Sequence, residues 1–244
     1  MLQNRPLRYL IQPLLIVIIL FPAMQHYALS EDKAEPSIGS EIWDFGFLPQ
    51  KSEVSHTFFL RNRGSSPLTV KKIKTGCSCT SISEIDKPIE PGDSAAVAVT
   101  FKSGRYRGPV SKTTKVIIDN PESAIYEFTI KADVLKDDES SRDIKIFPNS
   151  LQWSLEDDFP ANDSIINISN TGPDTVMIST PHLPGDILQA ANIPLFLAPQ
   201  KNIDIVIKPA AKELLPDIKG LSMTFAFTGK DTTIITVPVK IKKK

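Results

Sequence analysis

The stretch Tyr126-Glu127-Phe128-Thr129-Ile130-Lys131-Ala132-Asp133-Val134 decides the fold, because apolar side chains occupy every second position and polar ones stand between them. A period of two places Tyr126, Phe128, Ile130, Ala132 and Val134 on one face of an extended chain, which is the pattern of a half-buried strand. The same period recurs upstream. Val54, His56, Phe58 and Leu60 share a face, with Phe59 as the exception, and Ala95, Val97, Val99 and Phe101 share another. Ile42, Trp43 and Phe45, then Leu68 to Lys74, Ile82 with Ile85, and Val116 with Ile118 mark further short strands. Turn chemistry separates them. Asn62-Arg63-Gly64 combines two residue types that tolerate positive φ, Pro91-Gly92 fits the centre of a type II turn, and Gly104-Arg105-Tyr106-Arg107-Gly108 is a glycine-bounded loop. Seven short strands punctuated in this way imply an immunoglobulin-like β-sandwich.

The layout then repeats. Asn170-Thr171-Gly172 lies 108 residues beyond Asn62-Arg63-Gly64, and Pro199 lies 108 beyond Pro91, while Trp153 answers Trp43. Two loops sharing one offset imply an internal repeat. Met223, Phe225 and Phe227 alternate, as do Ile235, Val237, Val239 and Ile241. The charged run Lys136 to Asp143 suits a solvated linker. The expected fold class is therefore all-β, with two tandem immunoglobulin-like β-sandwich domains after an amino-terminal signal. The boundaries are 1–30 for the signal, 31–135 for the first sandwich, 136–143 for the linker and 144–244 for the second.

Arg5 and Arg8 precede an apolar run from Leu14 to Phe21, followed by Ala28-Leu29-Ser30, the layout of a secretory signal peptide. Pro13 and Pro22 bracket a run much shorter than the ~20 apolar residues of a membrane-spanning helix. Export to the periplasm, cell surface or medium follows, with no stable membrane span after processing. Lys plus Arg and Asp plus Glu are both 28. That balance lacks the clustered basic surface that nucleic acid requires.

Both cysteines fall in Thr75-Gly76-Cys77-Ser78-Cys79-Thr80. Adding 108 to them reaches Gly185 and Ile187, so the second sandwich is expected to fold without thiols there. A bridge between Cys77 and Cys79 would close a tiny loop, for which chain entropy gives only about 1.6 kcal/mol, opposed by ring strain. A stabilising staple is the weakest reading. Reversible oxidation suits an export compartment, yet a reactive thiol needs a cation or helix terminus nearby, and only Lys74 is close in sequence. Two thiolates could hold soft Cu(I). A structural zinc site needs four ligands, whereas two cysteines and the histidines His56 and His182 are spread over both halves. His56 reads as a histidine at the core edge, and Trp43 and Trp153 as core aromatics whose indole N–H groups need partners. Arg105-Tyr106-Arg107 reads as a solvated loop able to contact a partner.

Trp43-Asp44-Phe45-Gly46, His56 with Phe58, Asn62 with Gly64, Pro67-Leu68, Cys77-Ser78-Cys79-Thr80 and Pro88-Ile89-Glu90-Pro91-Gly92 together resemble a bacterial exported family catalogued as domain of unknown function 1573. That family is related in architecture to immunoglobulin-like modules of cilia and sperm proteins. The resemblance covers the first half of the mature chain and implies fold and export rather than activity. No catalytic set, cofactor site or complete metal site is read from the sequence. The expectation is a non-enzymatic adhesion, assembly or binding module of the cell envelope, with other envelope or cell-surface proteins as partners. The alternative is a thiol-based redox or Cu(I)-handling protein that uses Cys77 and Cys79.

Amino-terminal sequencing of the exported protein is expected to begin at Glu31. Material in a membrane fraction that still carries Met1 would instead establish an uncleaved anchor.

Overall fold

The computed structural model describes residues 36–38, 41–119, 124–136, 141, 143–154, 164–185, 188–190, 193, 195–209 and 219–242. The signal segment 1–30, the start at Glu31, most of the linker and Ile187 lie outside the described residues. Every regular element among the described residues is a strand, as the period of two requires.

Eight strands come from the first half: β1 (Pro36–Ile38), β2 (Ile42–Pro49), β3 (Glu53–Asn62), β4 (Val70–Thr75), β5 (Thr80–Ile82), β6 (Ser94–Lys102), β7 (Gly108–Ile118) and β8 (Ile125–Leu135). They form the sheet β1-β3-β6-β5 and the run β2-β8-β7-β4, with β2 parallel to β8. Alternate residues face each other across the gap. Phe45, Phe58, Val97, Phe101, Val116 and Phe128 are buried there. Chain order within these sheets is that of an immunoglobulin sandwich, with its first strand divided between the two sheets.

The second half supplies β9 (Ile144–Phe147), β10 (Leu151–Ser154), β11 (Ser164–Asn170), β12 (Val176–His182), β13 (Leu188–Ala190), β14 (Leu195–Leu197), β15 (Lys201–Pro209), β16 (Ser222–Thr228) and β17 (Thr232–Lys242). Sheet β13-β15-β11-β9 packs on the run β14-β12-β16-β17, to which β10 adds in parallel. A separate core of Trp153, Ile168, Ile178, Ile207, Phe225 and Val237 lies between them. The first and second sets therefore share one topology, and β5 and β13 match at the offset of 108 residue for residue.

The expected turns take different forms. Gly92 has φ +86°, and Asp93 N donates to Glu90 O at 3.0 Å, as a type II turn demands. Asn62 and Gly64 are not in the positive-φ region. Instead Asn62 acts through its side chain. Its Nδ2 donates to Ser66 O at 2.8 Å and Ile89 O at 2.9 Å, while Gly64 N donates to its Oδ1 at 3.0 Å. Asn170 repeats the set on Asp174 O at 2.8 Å, Leu197 O at 3.1 Å and Gly172 N at 3.0 Å. Each asparagine thus ties the end of one strand to a carbonyl of its own turn and to a buried carbonyl 27 residues away.

The two halves meet in a single nine-stranded sheet, β17 lying parallel to β2 with Ile235 opposite Phe47. Gly46 makes this possible. It has φ +62°, and a Cβ there would stand 2.1 Å from Ile234 O. Phe47 packs into the second core, and Thr236 Oγ1 donates to Phe45 O at 2.6 Å. On the other flank Ser55 N donates to Gly220 O at 2.9 Å.

Asn62→Ala and Asn170→Ala are each expected to lower stability by about 1–3 kcal/mol, because each removes three hydrogen bonds of its turn, one of them a buried bond to Ile89 O or Leu197 O. Urea unfolding at constant slope measures this, and a loss below ~1 kcal/mol would show the asparagines to be dispensable.

Candidate functional site

β4 runs out at Thr75, and the chain turns through Gly76-Cys77-Ser78-Cys79 before β5 begins at Thr80. Cys77 and Cys79 are joined by a disulfide in this turn. Neither cysteine lies in a strand. Lys102 N donates to Cys79 O at 2.9 Å, which fixes the turn to the end of β6. Cys79 packs against the first core.

The loop after β6 closes over this bridge. Ser103 is buried and holds the loop base, accepting from Ser52 N at 2.9 Å and donating to Pro49 O at 3.0 Å. Gln50 Nε2 donates to Tyr106 O at 2.8 Å and Arg105 O at 3.3 Å. Glycines with φ +50° and +75°, Gly104 and Gly108, allow the sharp return. So braced, the loop aims the Tyr106 hydroxyl at Cys79, and it donates to Sγ at 3.6 Å. Lys112 Nζ sits 4.7 Å from the centroid of the Tyr106 ring, in range for a cation–π contact. Lys112 shares its parity on β7 with the buried Thr114, Val116 and Ile118, so its stem follows the core side while the ammonium reaches the end of the sandwich.

The two segments that build the tip carry charge of one sign, although Glu53 pairs with Lys102 and Asp133 stands opposite Pro109 on neighbouring strands. No Asp or Glu occurs from Ser65 to Ser83 or from Ser94 to Ile118, segments that carry Lys74, Arg105, Arg107 and Lys112. The sequence candidates Cys77 and Cys79 are brought together, and a phenol and an ammonium that spacing does not reveal stand beside them. The available signals were a lysine at an apolar parity in β7 and a tyrosine between two glycines. The corresponding place in the second sandwich holds Gly185 without a thiol, and Ile187 is outside the described residues.

A second cluster forms where the halves meet. Trp43 stacks on His56 with ring centroids 3.9 Å apart and planes at 4°. His182, from β12, approaches both rings at 5.6 Å and 5.7 Å. Sequence distance separates these histidines, whereas the joining of the two halves brings His56 on β3 beside His182 on β12. Trp153 finds the partner expected of it, Nε1 donating to Ser164 Oγ at 2.8 Å. Trp43 Nε1 and His56 Nδ1 are buried without a hydrogen-bond partner. A groove of about 440 Å³ beside the cluster is lined by Ser55, Thr100, His182, Lys219 and Ser222, among others. Burial, with the His182 imidazole as second cause, lowers His56 from 6.5 to about 4, and burial lowers His182 as well. Among the described residues no group of three or more His, Cys, Asp or Glu gathers as metal ligands would.

Topology and site define an immunoglobulin-like β-sandwich protein whose first sandwich carries a disulfide tip. Residues 37–134 match the family model described as "Protein of unknown function (DUF1573)", so the resemblance read from the sequence holds over that half. No curated protein matches the chain. Among solved structures, the chain is similar to the VesB protease of Vibrio cholerae at 16% identity, over 40% of this chain and 31% of that one, with a TM-score of 0.36. A protein of unknown function from Porphyromonas gingivalis W83 is similar at 12% identity over 84% of this chain and 99% of that one, TM-score 0.35. The PapD-like domain of human CEP192 is similar at 12% identity over 55% and 99%, TM-score 0.35. None of these likenesses carries an argument about what this chain does. Among the described residues no helix is long and apolar enough to cross a membrane.

Acid is expected to weaken the fold through His56. Its folded pKa of about 4 lies below the unfolded 6.5, so the unfolded chain binds more protons between these values. Stability is complete above 6.5 and is lost as pH falls toward 4. Discounted for partial exposure, the loss is about 1–2 kcal/mol. His56→Gln should flatten the stability profile in that window, measured by urea unfolding at pH 7.5 and pH 4.5. An unchanged slope would sink the assignment.

Proposed function

We propose that this chain is an exported, non-enzymatic binding module of the bacterial envelope that engages another envelope or cell-surface protein through the tip of its first sandwich. The observation that supports this reading is the Tyr106 loop. Its backbone is held by Gln50 and Ser103, its tyrosine is 38% exposed, and arginines flank it in a segment free of acidic residues. A rigid aromatic between cations suits an acidic protein surface, because little side-chain entropy is lost on docking and charge guides the encounter. Export rests on the signal-like amino terminus. The division into domains 31–135 and 144–244 belongs to the same proposal, with the Gly46 joint as the place where they meet.

A second reading, thiol redox chemistry at Cys77 and Cys79, is favoured by the Tyr106 hydroxyl on Cys79 Sγ. Handling of Cu(I) by the same pair would follow only after the bridge is reduced.

A photo-crosslinking residue at position 107 in intact cells is expected to give discrete protein adducts, which Arg105→Glu reduces by about ten-fold. Equal labelling from a control at Asn202, or adducts indifferent to Arg105→Glu, would overturn the binding role of the tip.

A further inference from the structure

We infer that the two sulfurs of the tip are chemically unequal, so that thiol–disulfide exchange proceeds by attack on Cys77 with Cys79 as the leaving sulfur. The inference rests on the second reading above and assigns it a direction and a partner class, an external dithiol. Three observations carry it. Both cysteines are half-buried, but Cys79 packs against the first core and Cys77 is not part of that packing. The Tyr106 hydroxyl already donates to Cys79 Sγ at 3.6 Å, and Lys112 lies over the same ring. The Thr80 hydroxyl at the start of β5 lies 3.5 Å from Cys77 Sγ and 3.9 Å from Cys79 Sγ and so serves both sulfurs, whereas the phenol contacts Cys79.

The leaving sulfur takes the electron pair of the broken bond, and exchange is faster when that pair is stabilised. A phenolic O–H aimed at Cys79 is placed to do this, and the cation over the ring makes the phenol a better donor. Attack on Cys79 would instead require Tyr106 to move and would leave the pair on the sulfur without a phenol.

One thiolate of the dithiol bonds to Cys77 Sγ, the Cys77–Cys79 bond breaks, and Cys79 departs as a thiolate that accepts the Tyr106 hydrogen bond. The dithiol's second thiolate then attacks its own sulfur in the mixed disulfide and releases Cys77. Two electrons pass to the pair, the dithiol ends as a disulfide, and its two protons end on the cysteines. Sequence alone favoured neither sulfur, because Lys74 was the single cation in view.

The full chain is treated with reduced glutathione, quenched with iodoacetamide, and the peptide spanning residues 77 to 79 is read by fragment masses. Glutathione on Cys77 with the alkyl group on Cys79 is expected, in excess of the reverse by about ten-fold. Tyr106→Phe is expected to shift the equilibrium in a glutathione buffer about three- to ten-fold toward the disulfide, with the melting temperature unchanged. Glutathione on Cys79, an even distribution, or an equilibrium indifferent to Tyr106→Phe would overturn the direction while leaving redox activity standing. A bridge that dithiothreitol opens only when the chain unfolds would overturn the redox reading itself.

Discussion

The backbone of β2 comes so close to β17 at Gly46 that any side chain there would collide with Ile234 O. A continuous nine-stranded sheet depends on that single missing Cβ. Removing the close approach would free Phe47 from the second core and Thr236 from Phe45 O, and would open the Trp43, His56 and His182 stack. The positive φ of Gly46 also bends β2, where its pairing with β8 shifts between Asp44 and Phe47. The Asp44 carboxylate accepts from Gly46 N at 2.8 Å and holds that bend. Two cores that are separate in composition are in this way fixed to one backbone plane.

Strands were legible where one face is buried and the other wet, since burial imposes the period of two directly on composition. Val97, Val99 and Phe101 are buried, as their alternation required. The repeat was legible for a different reason: Asn62 and Asn170 sit at turns whose carbonyls need the same donors. Their mechanism was not legible, because an amide that ties remote carbonyls and an amide that tolerates positive φ look the same in a sequence. The seven strands read in the first half become eight, since β1 at Pro36–Ile38 precedes the first strand read, Ile42 to Phe45, and pairs in the other sheet.

The site was legible only in its covalent part. Cys77 and Cys79 announce themselves, whereas Tyr106 acts on Cys79 across 27 residues and Lys112 acts through Tyr106. Such contacts depend on which strand ends share one pole of the sandwich, and spacing does not encode that. His56 and His182 show the same limit more strongly. His56 reads as a core-edge histidine in its own half, and its meeting with His182 depends on how the two halves join, which spacing does not encode.

Strand β4 forms one edge of the long sheet and β14 the other. An open edge invites a foreign strand, and these two discourage it by different means. β14 is three residues long, too short to template a stable ladder. β4 carries Lys71, Lys72 and Lys74, and although Lys71 pairs with Asp119, an added strand would have to settle against Lys72 and Lys74 on one face of the edge. Whatever meets this protein beside β4 is thereby steered away from main-chain pairing and toward contact through side chains. The same like charge acts between copies of the chain, so pairing of one β4 edge with another is disfavoured.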